Sequence, residues 1–109
     1  MRLDLGKIRG NLRIAEELPI SGQVTGSVVV AAGGKLKLDG KIRGDLTLEP
    51  DSYAELRGMV KGNVVNQGGT LDVSGMVVGD VRHESGVSVV HRTAVVHGEV
   101  VGDVRDLRD

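Results

Sequence analysis

The 109-residue chain contains no cysteine, phenylalanine or tryptophan, and Tyr53 is its only aromatic residue. Without cysteine it can form neither a disulfide nor a thiolate metal site. A core built without Phe or Trp must be thin and filled by aliphatic side chains, which favours a solenoid in which each coil stacks on the next. A single aromatic residue also argues against a protein that binds single-stranded nucleic acid by base stacking.

The chain also lacks an excess of charge of either sign, since 14 basic and 15 acidic residues leave a net charge of −1. Proteins that bind nucleic acid carry a basic footprint, so we expect no nucleic acid partner. No apolar run approaches the roughly 20 residues that span a bilayer, and the N-terminal residues resemble neither a signal peptide nor an amphipathic anchor. We therefore expect one domain over residues 1–109, located in the cytoplasm, without a membrane partner.

Glycine is abundant, and the motif Gly-x-aliphatic-x-Gly-polar-aliphatic occurs six times. The copies begin at Gly6, Gly22, Gly40, Gly58, Gly75 and Gly98, at spacings of 16, 18, 18, 17 and 23 residues. Self-similarity at a nearly fixed period is the sequence signature of a repeat architecture. The six copies therefore predict one structural unit repeated along the chain.

Aliphatic residues recur at alternate positions on both sides of the motif. Pairs such as Leu36/Leu38 precede a copy, and pairs such as Leu46/Leu48 follow one. A period of two is typical of strands with one face turned inward. Each coil thus comprises three short strands joined by corners. The sequence predicts an all-β fold, a triangular parallel β-helix of about five to six coils with 17–18 residues each.

Glycine at both ends of the motif permits sharp corners. The expected structural corners are Gly6, Gly10, Gly22, Gly26, Gly40, Gly44, Gly58, Gly62, Gly75, Gly79, Gly98 and Gly102. A short polar residue follows the second glycine of every copy, and such residues bind neighbouring backbone amides. Stacked coils predict a ladder of these residues at one corner: Asn11, Ser27, Asp45, Asn63, Asp80 and Asp103.

Three segments depart from the repeat. Residues 1–5 are out of register with it and predict an irregular start. The wide last spacing predicts a longer coil with an insertion around residues 83–93. Residues 105–109 form a charged C-terminal end, and charge on an exposed sheet edge discourages further pairing.

An aliphatic residue also occupies every sixth position from Val24 to Val60, as in left-handed hexapeptide solenoids. That pattern places a small residue directly after the aliphatic one, whereas this chain pairs its aliphatic residues at alternate positions. A non-catalytic left-handed solenoid is therefore the weaker alternative.

Residues 38–46 and 73–81 resemble the repeats of bactofilins, the polymer-forming bacterial cytoskeletal proteins. The resemblance extends from residue 6 to residue 104. It implies a right-handed triangular β-helix that polymerises end to end without nucleotide. Bactofilins commonly carry an aromatic residue near the C-terminal end of the helix that helps end contacts, and this chain has no Phe. A second possibility is therefore a bactofilin-like protein that does not form filaments.

The outward positions of the motif change character along the chain, from basic in early copies to apolar in later ones. The expected basic face comprises Lys7, Arg9, Lys41, Arg43 and Lys61. The expected apolar stripe comprises Met59, Met76, Val78 and Val101, extended by Val90 and Val95, unless the insertion in the fifth coil folds over it. A stacked apolar patch marks an interface, while a basic ladder is also typical of a solvated surface.

No set of residues indicates catalysis. His83, His91 and His97 lie in the irregular fifth coil, where we expect an inward position for His83 and an outward one for His97, and therefore no shared metal ion. No serine lies in a convincing triad, and the P-loop sequence Gly-Lys-Ser/Thr does not occur. We expect no enzyme activity, no catalytic residue, no cofactor and no metal.

The leading hypothesis is a bactofilin-like scaffolding protein that self-associates through its coil ends, the apolar stripe, or both. The alternative is a small β-helix binding module that docks or neutralises a specific protein through that stripe. The expected partner is accordingly a second copy of the chain or a specific protein.

Overall fold

The computed structural model describes residues 7–107, and every regular element in that range is a β-strand. The strands are β1 (Lys7–Ile8), β2 (Leu12–Ile14), β3 (Glu17–Ile20), β4 (Gln23–Val24), β5 (Val28–Val30), β6 (Lys35–Leu38), β7 (Lys41–Ile42), β8 (Leu46–Leu48), β9 (Tyr53–Leu56), β10 (Met59–Val60), β11 (Val64–Val73), β12 (Met76–Val77), β13 (Val81–Val90), β14 (Val95–Val96), β15 (Val100–Val101) and β16 (Arg105–Asp106). No helix in this range has the length and apolarity that crossing a membrane requires.

The strands stack in parallel and form three faces of a solenoid. The first face is a six-stranded sheet in the order β1-β4-β7-β10-β12-β14. The second face contains β2, β5, β8 and the start of β11, and the third contains β3, β6, β9 and the end of β11. Strands β11 and β13 run across the corner between these two faces. The predicted β-solenoid of stacked parallel coils is confirmed.

Side chains alternate between core and surface along each strand. In β6, Leu36 and Leu38 are fully buried, whereas Lys37 is exposed. The parallel register stacks the inward residues in columns. One such column contains Leu18, Leu36, Ala54 and Leu71. Because every coil adds only one or two aliphatic residues to a face, the core is thin, as expected for a chain without Phe or Trp.

Successive coils approach closely at the corners. A β-carbon on Gly58 would lie 1.9 Å from the carbonyl oxygen of Gly40. At the next corner, a β-carbon on Gly62 would lie 2.2 Å from Oδ1 of Asp45. Side chains therefore do not fit between the coils at these positions, which accounts for the two glycines of the repeat. Gly6 and the expected irregular start at residues 1–5 lie outside the described residues.

The sixth copy of the motif is out of phase with the other five. Strand β14 pairs with β12 so that Val95 lies beside Met76. Gly98 consequently stacks on Gly79, the second glycine of the fifth copy, and Ala94 takes the place of the first glycine. The expectation that Gly98 and Gly102 frame the sixth corner in the same phase as the earlier pairs was wrong.

The fifth coil is longer than its neighbours, but most of the expected insertion is regular strand. Strand β13 covers residues 81–90 and pairs with β11 through two small register shifts. The added length lies at the following corner, where residues 91–94 separate β13 from β14. Only residues 74–75 separate β11 from β12 at the equivalent corner below.

The last coil is cut short between the second and third faces. Residues 102–104 connect β15 with β16, which pair with opposite ends of β13. Gly102 lies against the backbone of His83 with a φ of 102°, a conformation that favours glycine. The charged end expected at residues 105–109 begins on this edge with Arg105 and Asp106, and residues 108–109 lie outside the described part of the chain.

Candidate functional site

The outward side chains of the first face form two columns along the solenoid axis. The first column contains Gln23, Lys41, Met59, Met76 and Val95, each the first residue of its strand. The second column contains Thr25, Arg43, Lys61, Val78 and His97, each directly after its strand. Neighbouring rungs of stacked strands lie about 4.8 Å apart. From β4 to β14 the first face is therefore a narrow surface whose chemistry is set by ten positions, and Arg9, which follows β1, adds one more.

An apolar patch occupies the C-terminal half of this face. Met59 and Met76 are half-buried and adjacent in register. Val78 and Val95 are 41% and 45% exposed beside them. We call these four residues the apolar patch. Val95 was expected only as an extension of the stripe, and it lies within the patch, beside Met76, because the sixth copy is out of phase.

Two residues expected in the stripe lie elsewhere. Val90 is fully buried, because it is the last inward residue of β13. Val101 is 45% exposed, but it pairs with Arg82 on the second face. The expectation that Val101 belongs to the stripe was wrong, because the sixth copy of the motif is out of phase with the other five. Val90 is a core residue.

Three cations lie next to the apolar patch. The side chains of Lys41, Arg43 and Lys61 occupy two adjacent rungs, and we call them the basic cluster. None of the ion pairs between described residues includes these three side chains. The charge of Lys61 lowers the pKa of Lys41 the most, and desolvation and the charge of Arg43 add to the effect. Like charges are thus held together without a carboxylate between them.

The remaining members of the expected basic face lie towards the N-terminal end. Arg9 is exposed and follows β1. Lys7 lies in register with Gln23 through its backbone, and its side chain is outside the described part of the structure. The basic cluster therefore comprises three of the five residues of the expected face, those of the third and fourth coils.

A groove of about 530 Å³ runs beside the apolar patch. Gly40, Gly58 and Gly75 line it, and their missing side chains leave room there. The groove is open. Lys41, Met59, Met76 and Val95 line one side, and Asp39, Arg57 and Thr93 line the other. Arg43, Lys61 and Val78 lie beyond the first column and do not line it. Arg57 is paired with Asp39 at 3.2 Å, so this wall carries little net charge.

The opposite corner of the first face carries a ladder of hydrogen bonds. The backbone N–H of each ladder residue donates to the side-chain oxygen of the residue one coil earlier, over 2.8–3.0 Å. The donors are Ser27, Asp45, Asn63, Asp80 and Glu99. The predicted ladder is confirmed up to Asp80. Its next member is Glu99 and not Asp103, because the sixth copy of the motif is out of phase with the others.

The three histidines lie on different parts of the solenoid. Nδ1 of His83 is 2.8 Å from Oγ of Ser88. Nε2 of His91 is 3.3 Å from Oδ1 of Asp72, and His97 lies in the second column of the first face. Within residues 7–107, no group of three or more His, Asp or Glu side chains can hold a metal ion.

A second, open cleft of about 640 Å³ lies on the third face. The hydroxyl of Tyr53 donates to Oδ2 of Asp72 over 2.9 Å, and His91 contacts the other oxygen of the same carboxylate. This hydrogen bond, with desolvation and the charge of Asp72, raises the pKa of Tyr53. Sequence reasoning missed the set, although separations of 19 residues, close to one coil, were the available signal.

Both ends of the solenoid present sheet edges in the described part of the chain. Strands β1, β2 and β3 form one end, and β14, β15 and β16 form the other. Partly buried aliphatic residues pack against the core at these ends: Ile8, Leu12, Val96, Val100 and Val104. Each end therefore combines edge strands with incompletely covered core residues.

A model of the bactofilin family, described as polymer-forming cytoskeletal, matches residues 5–85. No curated protein and no solved structure matches the chain. The family match ends within β13, so the out-of-phase sixth copy and the shortened last coil lie beyond it.

Proposed function

We propose, since the chain belongs to the bactofilin family of polymer-forming cytoskeletal proteins, that it is a scaffolding protein whose copies associate end to end. The role is structural and not catalytic. A second copy of the chain is the principal partner, and the assembly is cytoplasmic.

The observation that carries the proposal is the open sheet edge at each end. Unpaired backbone groups on an edge strand are a template for another chain. A second copy stacked in register would continue the sheets at the same spacing of about 4.8 Å. It would also cover the partly buried Val96 and Val100 at the C-terminal end, or Ile8 and Leu12 at the other.

The third face is the least suited to such stacking. On this face, the outward Lys35 and Tyr53 donate their N–H groups to the preceding coil. Pro19 occupies an outward position of β3, in the first coil, and has no N–H to donate. At the other end, β16 consists of the charged Arg105 and Asp106. End contacts through the first and second faces are therefore favoured.

The apolar patch alone is too small to hold two copies together. Its first column spans three rungs, Met59, Met76 and Val95, at a spacing of about 4.8 Å. Stable interfaces bury more than about 1,000 Å² in total, and a patch of this length and width offers a few hundred. We therefore assign self-association to the coil ends.

Analytical ultracentrifugation and negative-stain electron microscopy over a range of protein concentrations test the proposal. We expect the wild type to form oligomers or filaments that grow with concentration. Val100→Lys places a charge on the C-terminal edge and should stop growth. It should leave pairs if like ends of the solenoid meet, and monomers if the C-terminal end of one copy meets the N-terminal end of the next. Val65→Lys is the matched control, because Val65 is an outward residue of the second face with a strand on either side, paired with Thr47 below and Arg82 above.

Circular dichroism verifies that both variants keep the β-solenoid. A wild-type protein that stays monomeric at high concentration, at low and high salt, overturns the proposal. Growth of Val100→Lys equal to that of the wild type would show that the C-terminal edge is not a contact.

A further inference from the structure

The first face has a polarity along the axis that end-to-end stacking does not use. Lys41, Arg43 and Lys61 lie at the level of the third and fourth coils. Met76, Val78 and Val95 lie above them, with Met59 at the boundary. A ligand bound along this face would therefore contact cations towards the N-terminal end of the solenoid and apolar side chains towards the C-terminal end.

Among residues 7–107, no carboxylate forms an ion pair with the basic cluster. Its nearest charged neighbours at the corner before the face, Asp39 and Arg57, are paired with each other. On the other side, Oδ1 of Asp45 and of Asp80 accepts ladder hydrogen bonds from backbone N–H groups. Asp45 and Asp80 keep their negative charge, but neither forms an ion pair with the cluster, so carboxylates of a ligand can pair with its three cations.

The groove beside the patch sets the shape of such a ligand. Because glycines line it, an extended backbone can approach the solenoid closely there. From Lys41 to Val95 the first column covers three rung spacings, or about 14 Å. An extended chain covers that distance with about four to five residues at roughly 3.3 Å each.

We propose that the groove of the first face binds an extended segment of a client protein, with acidic residues at one end and aliphatic residues at the other. The carboxylates lie against the basic cluster. The aliphatic side chains lie against the apolar patch, so the two halves of the face fix the direction of the bound segment.

A second copy of this chain and an anionic membrane fit the face less well. A second copy packed against the same face brings the same cations, and an overlap of the apolar halves alone buries too little area. Met59 and Met76 are half-buried in a rigid sheet, so they offer little to insert among acyl chains.

Fluorescence anisotropy with labelled peptides tests the inference. The probe is a peptide with three consecutive Asp/Glu residues followed by three Leu/Val residues. Two comparison peptides replace the acidic half by lysine or the aliphatic half by serine. We expect the wild type to bind the probe, less tightly as salt rises, and each comparison peptide at least about tenfold more weakly.

Variants locate the binding. Lys61→Glu and Met76→Asp should each weaken binding of the probe by about tenfold or more. Arg82→Glu and Val87→Asp are the controls, since they make the same charge changes at exposed positions on the second and third faces, and binding should stay within about twofold of wild type.

Two results overturn the inference. One is no binding of the probe, and the other is equal weakening by Lys61→Glu and Arg82→Glu, which would indicate unspecific charge attraction. In the first case, co-sedimentation of the wild type with phosphatidylserine vesicles that Lys61→Glu abolishes would assign the face to a membrane. Oligomer growth is measured separately, so the failure of either proposal leaves the other testable.

Discussion

Nδ2 of Asn66 lies 2.9 Å from Oγ of Ser88, and both side chains are buried inside the solenoid. The same nitrogen donates to the carbonyl oxygens of Gly69 and Val87. Oδ1 of Asn66 accepts the N–H groups of Gly68 and Gly69. One buried amide thus provides hydrogen-bond partners for the backbone groups where β11 turns from the second face to the third. The same amide links this turn to the coil above.

Replacing Asn66 by leucine should destabilise the protein although it restores an aliphatic side chain to the core. The backbone groups that the amide satisfies would be left buried without partners, at a cost of about 2–4 kcal/mol in the free energy of unfolding. Urea denaturation followed by far-UV circular dichroism measures the change. Ser88→Ala removes only one of these partners and should cost about 1 kcal/mol. Equal stability of Asn66→Leu and wild type would contradict this role.

Each hydrogen bond of the ladder at the corner of the first face should contribute separately to the free energy of unfolding. Oδ1 of Asn63 accepts the N–H of Asp80 over 2.9 Å, and Asn63→Ala should lower the free energy of unfolding by about 1 kcal/mol. Asp103→Ala serves as the control, because Asp103 lies outside the ladder, and its stability should match wild type. Thermal denaturation of Asn63→Ala and Asp103→Ala shows which of the two residues belongs to the ladder. A larger loss for Asp103→Ala would favour the register in which Asp103 is the sixth rung.

Two glycines should respond differently to alanine. The β-carbon of Gly58→Ala would meet the carbonyl oxygen of Gly40 at 1.9 Å, and relief requires the coils to separate, at a cost of about 2–3 kcal/mol or more. Gly33 has a φ of 82° and no atom near the added carbon. Gly33→Ala should therefore cost only the strain of that backbone, about 1–2 kcal/mol. The melting temperatures of the two variants test the order, and a reversed order would argue against close coil contact at Gly58.

The register of coils two to five was predictable because each copy keeps both glycines and an inward aliphatic residue between them. The sixth copy was not, since residues 98–104 match the motif better than residues 94–100, in which Ala94 replaces the glycine. Pairing decides between them: Val96 stacks on Val77 in the core, and a local match to the motif carries no information about that contact.

The polar interior was unpredictable for a different reason. Asn66 and His83 occupy an inward column that Leu48 fills one coil earlier. A buried amide is stable there only because backbone groups of the neighbouring corner are within reach, and that geometry depends on how β11 bends. The contact of Tyr53 with Asp72 likewise follows from stacking, which brings together residues about one coil apart in sequence.

Tyr53 offers a spectroscopic test of the third-face cleft, because it is the only aromatic residue of the chain. Its hydroxyl donates to Asp72, and this raises its pKa above the ordinary value of 10.0. The raised pKa means that the interaction stabilises the fold fully below about pH 10 and is lost as the pH rises through the folded-state value. Absorbance near 295 nm during an alkaline titration reports the ionisation of Tyr53 alone.

In Asp72→Ala the titration midpoint should move down towards the ordinary value, since the acceptor and its negative charge are both gone. Asp39→Ala is the control, because it removes a surface carboxylate that pairs with Arg57 and does not touch Tyr53. Its midpoint should equal that of the wild type. Superimposable curves for Asp72→Ala and wild type would mean that the Tyr53–Asp72 hydrogen bond does not form in solution.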